Sequence, residues 1–173
     1  GDGTDGIWGD YDNDGWLDFF NYTRGIVHRS NNGVSFSSLS IPSSGMAPNI
    51  RGASWGDHNN DSYLDLYVGG YESWPDAYYS DVRLRNNSGT GFSNVWTQPA
   101  DAVVTGGRPR PARGITSADF DRDGDIDVYT SNYRLETNGL YVNDGSGNFT
   151  DQAPARGATG GTGHTIGSAW GDM

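Results

Sequence analysis

The sequence predicts an all-β chain, and three observations carry that expectation: a composition poor in helix formers, an acidic nine-residue motif that recurs, and short β-type runs closed by Asn- and Gly-rich turns. In the 173 residues all 11 bases are Arg, 20 of the 22 acids are Asp, 27 residues are Gly, and Lys is absent. Glu, Lys, Leu and Ala fill helix surfaces because their side chains lose little rotamer freedom there, whereas Gly, Asp, Asn and Ser favour turns. A helical bundle and a coiled coil are therefore disfavoured. An aromatic content of 13% supplies bulky core side chains. No apolar run approaches the roughly 20 residues that cross a bilayer. The absence of Cys excludes disulfides, thiolate zinc sites and a Cys nucleophile. With no initiator Met and no signal-peptide character at Gly1 to Gly6, the chain is expected to be a mature or excised piece.

The net charge of −11 has a local origin. Three segments, Asp10 to Asp18, Asp57 to Asp65 and Asp119 to Asp127, hold 12 acids and one base, Arg122; the rest holds 10 of each. In register they read Trp8-Gly9-Asp10-Tyr11-Asp12-Asn13-Asp14-Gly15-Trp16-Leu17-Asp18, then Trp55-Gly56-Asp57-His58-Asn59-Asn60-Asp61-Ser62-Tyr63-Leu64-Asp65, then Ala118-Asp119-Phe120-Asp121-Arg122-Asp123-Gly124-Asp125-Ile126-Asp127. A fourth copy opens at Trp170-Gly171-Asp172. The first aspartates stand 47, 62 and 53 residues apart, lengths that suit one four-stranded β-propeller blade per repeat. The repeats fall at 1–47, 48–110 and 111–160, with a fourth beginning at 161–173.

Within each repeat a short strand enters the acidic loop and a β-type run leaves it: Phe19 to Tyr22, Leu66 to Val68, Val128 to Thr130. Two more strands then pair through a tight turn at Asn31-Asn32-Gly33, Asn86 to Gly89 or Asn143 to Gly147, where Asn, Asp and Gly tolerate positive φ. Phe36, Phe92 and Phe149 follow the turns. The expectation is about three blades of about four antiparallel strands. His164 to Ala169 is expected to be the strand leading into a fourth loop, so the chain reads as a fragment of a longer propeller, with a repetitive extracellular assembly as the alternative.

Oxygen donors at loop positions 1, 3, 5 and 9, a carbonyl at position 7 and a turn residue at position 6 suit calcium, which takes six to eight oxygen ligands. Loop one offers Asp10, Asp12, Asp14, Asp18 and the Trp16 carbonyl, with Gly15 at the turn. Loop three offers Asp119, Asp121, Asp123, Asp127 and the Asp125 carbonyl, with the Asp125 carboxylate pointing outward. Loop two offers Asp57, Asn59, Asp61, Asp65 and the Tyr63 carbonyl; Asn59 replaces an acid and Ser62 the turn glycine, so it is expected to be the weakest of about three calcium sites. No Glu stands at position 12 and β-type residues follow, which disfavours an EF-hand. Such acidic clusters make nucleic acid a poor partner.

The Trp-Gly pairs, the Asp-x-Asp-x-Asp-Gly-x-Leu-Asp core, Leu66 to Gly70 and Leu140 to Thr150 together resemble the FG-GAP and VCBS repeats of integrin-α-like β-propellers. The resemblance implies calcium in the loop between the first two strands of each blade, and an extracellular or cell-surface protein for adhesion or recognition. The partners it implies are a protein or glycan at the cell surface, or further copies of the chain itself. It departs in lacking the Phe-Gly and Gly-Ala-Pro spellings and in its weakened second loop.

Other constellations carry less. The three His share no spacing with a nucleophile, and His58 is expected to be an exposed loop residue. Glu72 and Glu136 are expected at the surface rather than as a glycosidase pair, so no enzyme is predicted. The Tyr71 to Tyr79 connection, with Trp74, Tyr78 and Tyr79, is a candidate for binding sugar or protein at a blade rim, the basis of an alternative reading as a lectin. Arg108 to Arg113 is expected to orient a linker and neutralise carboxylates. Asn21, Asn86 and Asn148 open N-glycosylation sequons; Asn60 opens another, inside loop two.

Overall fold

The computed structural model describes residues 5–43, 46–73, 77–99 and 109–171. Trp74, Arg108 and Asp172 lie outside the described residues. The first sheet contains β1 (Gly6–Gly9), β2 (Asp18–Asn21), β3 (Ile26–Asn31) and β4 (Ser35–Ser40), antiparallel and hydrogen-bonded in that order. The second repeat forms β5 (Ala53–Gly56), β6 (Asp65–Val68), the hairpin β7 (Tyr71–Ser73) and β8 (Ala77–Tyr79), then β9 (Val82–Asn86) and β10 (Phe92–Thr97). Its main sheet runs β5-β6-β9-β10, with the hairpin as a separate two-stranded sheet. The third sheet runs β11 (Ala112–Ala118), β12 (Asp127–Asn132), β13 (Gly139–Asn143) and β14 (Phe149–Asp151), followed by the single helical turn α1 (Ala153–Arg156). The chain is all-β, in four-stranded antiparallel sheets of propeller-blade type.

The turn chemistry is as the residues dictate. Asn32 and Gly33 have φ of 55° and 71°, and Ser88 and Gly89 have 51° and 74°, the left-handed pairs that join twisted strands. The acidic loop joins the first two strands of every blade. The aromatic connection of repeat two is a hairpin, because Tyr71 to Ser73 and Ala77 to Tyr79 pair with each other in register.

The core lies between blades. Phe20 and Val27 of the first sheet pack with Leu66, Val68 and Leu84 of the second, and Tyr67 of the second packs with Ile115, Val128 and Tyr141 of the third. A ring at loop position 2 plugs each joint. Tyr11 lies 6.2 Å from Trp55 in a stack and 5.6 Å from Phe92, His58 meets Phe149 edge-on at 5.4 Å, and Phe120 stacks on Trp170 at 6.1 Å. His58 is therefore not an exposed loop residue: it is fully buried, and burial, with Arg83 nearby, lowers its pKa to about 3, so the ring is neutral. The Trp-Gly pairs follow from the same joint. A Cβ on Gly9 would stand 2.8 Å from Trp55 and 3.1 Å from Leu64 of the next blade, too close for any side chain.

The first strands of successive blades run beside one another, with Ser54 and Ser117 hydroxyls 2.7 Å apart and Thr116 and Ser168 hydroxyls 3.2 Å apart. Residues 164–169 follow β11, donating from the Thr165 amide to Asn132, but they do not form the expected strand. A ladder needs a partner on the far side, and none is present among the described residues.

Candidate metal centres

All three acidic loops fold alike because their aspartates satisfy the backbone of the turn. The position 1 carboxylate (Asp10, Asp57, Asp119) accepts from the amides of positions 5 and 6 at 2.8 to 3.1 Å. The position 5 carboxylate (Asp14, Asp61, Asp123) accepts from the position 7 amide (Trp16, Tyr63, Asp125) at 2.9 Å. The position 9 carboxylate (Asp18, Asp65, Asp127) is fully buried and accepts from the amide of Ser30, Asn86 or Asn143 on the third strand of its blade, at 2.8 to 2.9 Å. The loop is thereby tied to the sheet.

These bonds leave other oxygens facing one another. One carboxylate oxygen each from Asp10, Asp12 and Asp18 lie within 4.8 Å of one another, and Asp119, Asp121 and Asp127 repeat the arrangement. Asp12 Oδ1 is buried without a hydrogen bond, whereas Oδ2 is ion-paired with Arg29, which also reaches Asp14 at 3.4 Å. In loop three Arg156 stands 3.3 Å from Asp121. Loop two has no such triad of carboxylates among the described residues. Its Asn59 turns Nδ2 to Asp61 at 2.9 Å and leaves Oδ1 buried and unbonded, and Asp65 Oδ2 is buried without a hydrogen bond, with Arg83 Nη1 at 3.7 Å. Buried acceptors without donors are costly unless something electropositive meets them. Burial raises the pKa of Asp18 and Asp127, and raises that of Asp65 to about 6, against the pull of the third-strand amides. Crowded oxygens of this kind, hard and partly negative, fit a calcium ion better than magnesium, which resists an all-protein cage.

Two kinds of asparagine knit the loops together, a role that neither the turn nor the sequon reading of these residues anticipates. Asn86 donates Nδ2 to the Tyr11 carbonyl of the previous blade at 2.8 Å and to the Leu64 carbonyl of its own loop at 3.0 Å. Asn143 does the same with His58 and Ile126, at 2.9 and 3.1 Å. Asn13 donates to the Ser62 carbonyl, and Asn60 to Asp125 Oδ1 at 2.7 Å, so the Asp125 carboxylate does point away from its own loop. The sequon reading is corrected at Asn86, whose buried amide nitrogen is committed to two carbonyls, and at Asn21, which is buried and caps a turn through Thr23 and Arg24. Asn148 is exposed, its Nδ2 bonded to Asp144 at 2.8 Å.

Of the recognition candidates, Tyr78 and Tyr79 stand half-buried on β8. Tyr79 helps line a cavity of about 650 Å³ with Tyr22, Arg24, Ile26, Met46 and Ile50, between the first two blades. Glu72 is not at the surface: it is 5% exposed and ion-paired with Arg113, with Arg134 at 3.5 Å. The hairpin covers its own neighbours, and Arg113 also lies 4.0 Å over the Tyr133 ring. Arg110 binds Asp151 and the Thr137 carbonyl, so the basic linker does neutralise carboxylates. No helix among the described residues is long and apolar enough to cross a membrane.

A family model described as an FG-GAP-like repeat matches residues 10–68 and 119–173, which spans all three acidic loops. A search of curated proteins returned no match.

Proposed function

The chain belongs to the FG-GAP-like repeat family, and from that premise we propose that it is a calcium-binding β-propeller module of an extracellular or cell-surface protein, working in adhesion, recognition or assembly. Domains of FG-GAP repeats are generally non-catalytic. The observation that carries the calcium reading is the convergence of carboxylate oxygens inside two of the loops, one each from Asp10, Asp12 and Asp18 and one each from Asp119, Asp121 and Asp127, within 4.8 Å of one another. Asp10, Asp12, Asp14, Asp18 and the Trp16 carbonyl would hold one ion, and Asp119, Asp121, Asp123, Asp127 and the Asp125 carbonyl another. Asp57, Asn59, Asp61, Asp65 and the Tyr63 carbonyl would hold the weakest. Bound ion neutralises carboxylates that otherwise repel, and stiffens the edge of each blade. The partner is a protein or glycan at the cell surface or a further copy of the chain, and Asn148 is the sequon open to a glycan.

A ligand that binds only the folded state stabilises it by about 2.7 kcal/mol at a hundredfold excess over its Kd. A chelator should therefore lower the melting temperature, and Asp14→Ala or Asp123→Ala should weaken calcium binding more than Asn59→Ala. Unchanged melting in excess chelator, with no metal by elemental analysis, would sink the reading. A second reading, carbohydrate binding by Trp74, Tyr78 and Tyr79, draws on the cavity that Tyr79 lines; glycan-array binding that vanishes in Trp74→Ala or Tyr79→Ala would favour it.

A further inference from the structure

We propose that Asn13, at position 4 of the first acidic loop, is a positioning residue for the cation site of the second, holding loop two in its binding shape in place of the glycine it lacks. The inference rests on the calcium reading above.

Position 6 requires a left-handed backbone. Gly15 and Gly124 meet the requirement with φ of 87° and 95°, but loop two must put Ser62 there, at 72°. A residue with a Cβ is strained in that region, where glycine is not. Asn13, itself left-handed at 59°, stands at the edge of loop one and donates Nδ2 to the Ser62 carbonyl, 49 residues on. That bond grips the peptide between positions 6 and 7, immediately ahead of the Tyr63 carbonyl. The same loop keeps Asn59 Oδ1 buried with no hydrogen-bond partner, and Asp65 Oδ2 buried with only the more distant Arg83 Nη1, at 3.7 Å, and the neutral His58 ring near it, so what Asn13 supports retains oxygens free to take a cation.

The relation repeats one blade further. Asn60, with φ of 57°, reaches Asp125 of loop three at 2.7 Å. Loop three has Gly124 at its turn and needs no help to adopt the shape, so Asn60 only orients a side chain there. The two loops therefore differ in how much they depend on their neighbour, and that difference is measurable.

The test is a calcium titration of the full chain followed by two-dimensional amide NMR, with the amides of Gly15, Ser62 and Gly124 reporting one loop each. Asn13→Gly keeps the exposed left-handed backbone and removes only the side-chain amide. It should weaken binding at loop two by about tenfold, the scale of one good hydrogen bond, and leave loop three within about twofold. Adding Ser62→Gly should restore most of the loss, because the strain that Asn13 offsets is then gone. Unchanged affinity at loop two in Asn13→Gly, or a loss that Ser62→Gly does not rescue, overturns the inference alone. A wild-type chain whose three amides ignore calcium overturns the calcium reading and this inference with it.

Discussion

Asp81 is completely buried where the base of the β7–β8 hairpin meets β11, accepting from the amides of Gly70 at 2.7 Å and Ala112 at 2.9 Å and from the Tyr67 hydroxyl at 3.1 Å. It thus ties the inserted hairpin and two blades to one carboxylate. Burial raises its pKa to about 6, and the three donors, with Arg110, only partly oppose this. Because the folded chain holds the proton more tightly than the unfolded chain, protonation favours the fold. The contribution is fully present below about pH 4, declines as pH rises through 6, and is lost above it, for a total of about 3 kcal/mol. Asp81→Asn keeps an acceptor for both amides and has no proton to lose. The difference in urea-unfolding free energy between wild type and Asp81→Asn should therefore shift in favour of the variant by about 3 kcal/mol between pH 4 and pH 7. A difference that does not change with pH counts against Asp81 as the titrating group.

At the scale of the element, the joint between blades is built by residues that look ordinary in sequence. Asn86 and Asn143 end their strands, bridge to the previous blade's loop, and accept from the turn amides of Gly89 at 2.8 Å and of Gly145 and Gly147 at 3.2 and 3.0 Å. Blade one has Ser30 at the equivalent place, which accepts from the Gly33 amide at 3.0 Å but is too short to bridge. Asn86→Ser should keep the turn and strand two buried carbonyls, those of Tyr11 and Leu64, costing about 1–3 kcal/mol in urea denaturation. Asn86→Asp should cost more, since it sets a carboxylate against the same carbonyls; a neutral effect of both would show that the bridge is not formed in solution. The loops themselves were legible because alternate aspartates with one fixed spacing repeat visibly, and the four-strand order followed from the turns. The joints were not. His58 passed for a loop residue because histidine is common on surfaces, although position 2 carries a ring in every copy: Tyr11, His58 and Phe120. Asn86 passed for a sequon because its partners lie 22 and 75 residues away. The inserted hairpin read as a bulging connection because Trp74-Pro75-Asp76 interrupts two runs too short to announce a strand.

Across the whole molecule, successive blades offer a donor side and an acceptor side, and the two ends of the stack are not equally covered. Trp55 and Phe92 of blade two receive Tyr11, and Leu64 and Ile126 press on the glycines of the preceding blade. The matching residues of blade one, Trp8, Phe36 and Leu17, are 58%, 53% and 60% exposed. Trp8 lies 4.9 Å from Phe19 and 6.3 Å from Phe36, so these rings form one contiguous apolar face. At the other end Trp170 already sits on Phe120, in the place that Trp55 takes on Tyr11. A face of this kind, exposed and shaped to receive a neighbouring blade, drives association. The 173-residue chain on its own should therefore gain mass with concentration in light scattering. Trp8→Ser combined with Phe36→Ser should suppress that gain while leaving the calcium response of the Ser62 and Gly124 amides in place, since both substitutions lie outside loops two and three. Association that persists unchanged in the double variant would place the contact elsewhere, and a wild-type chain that stays monomeric at high concentration would show that this face is tolerated bare.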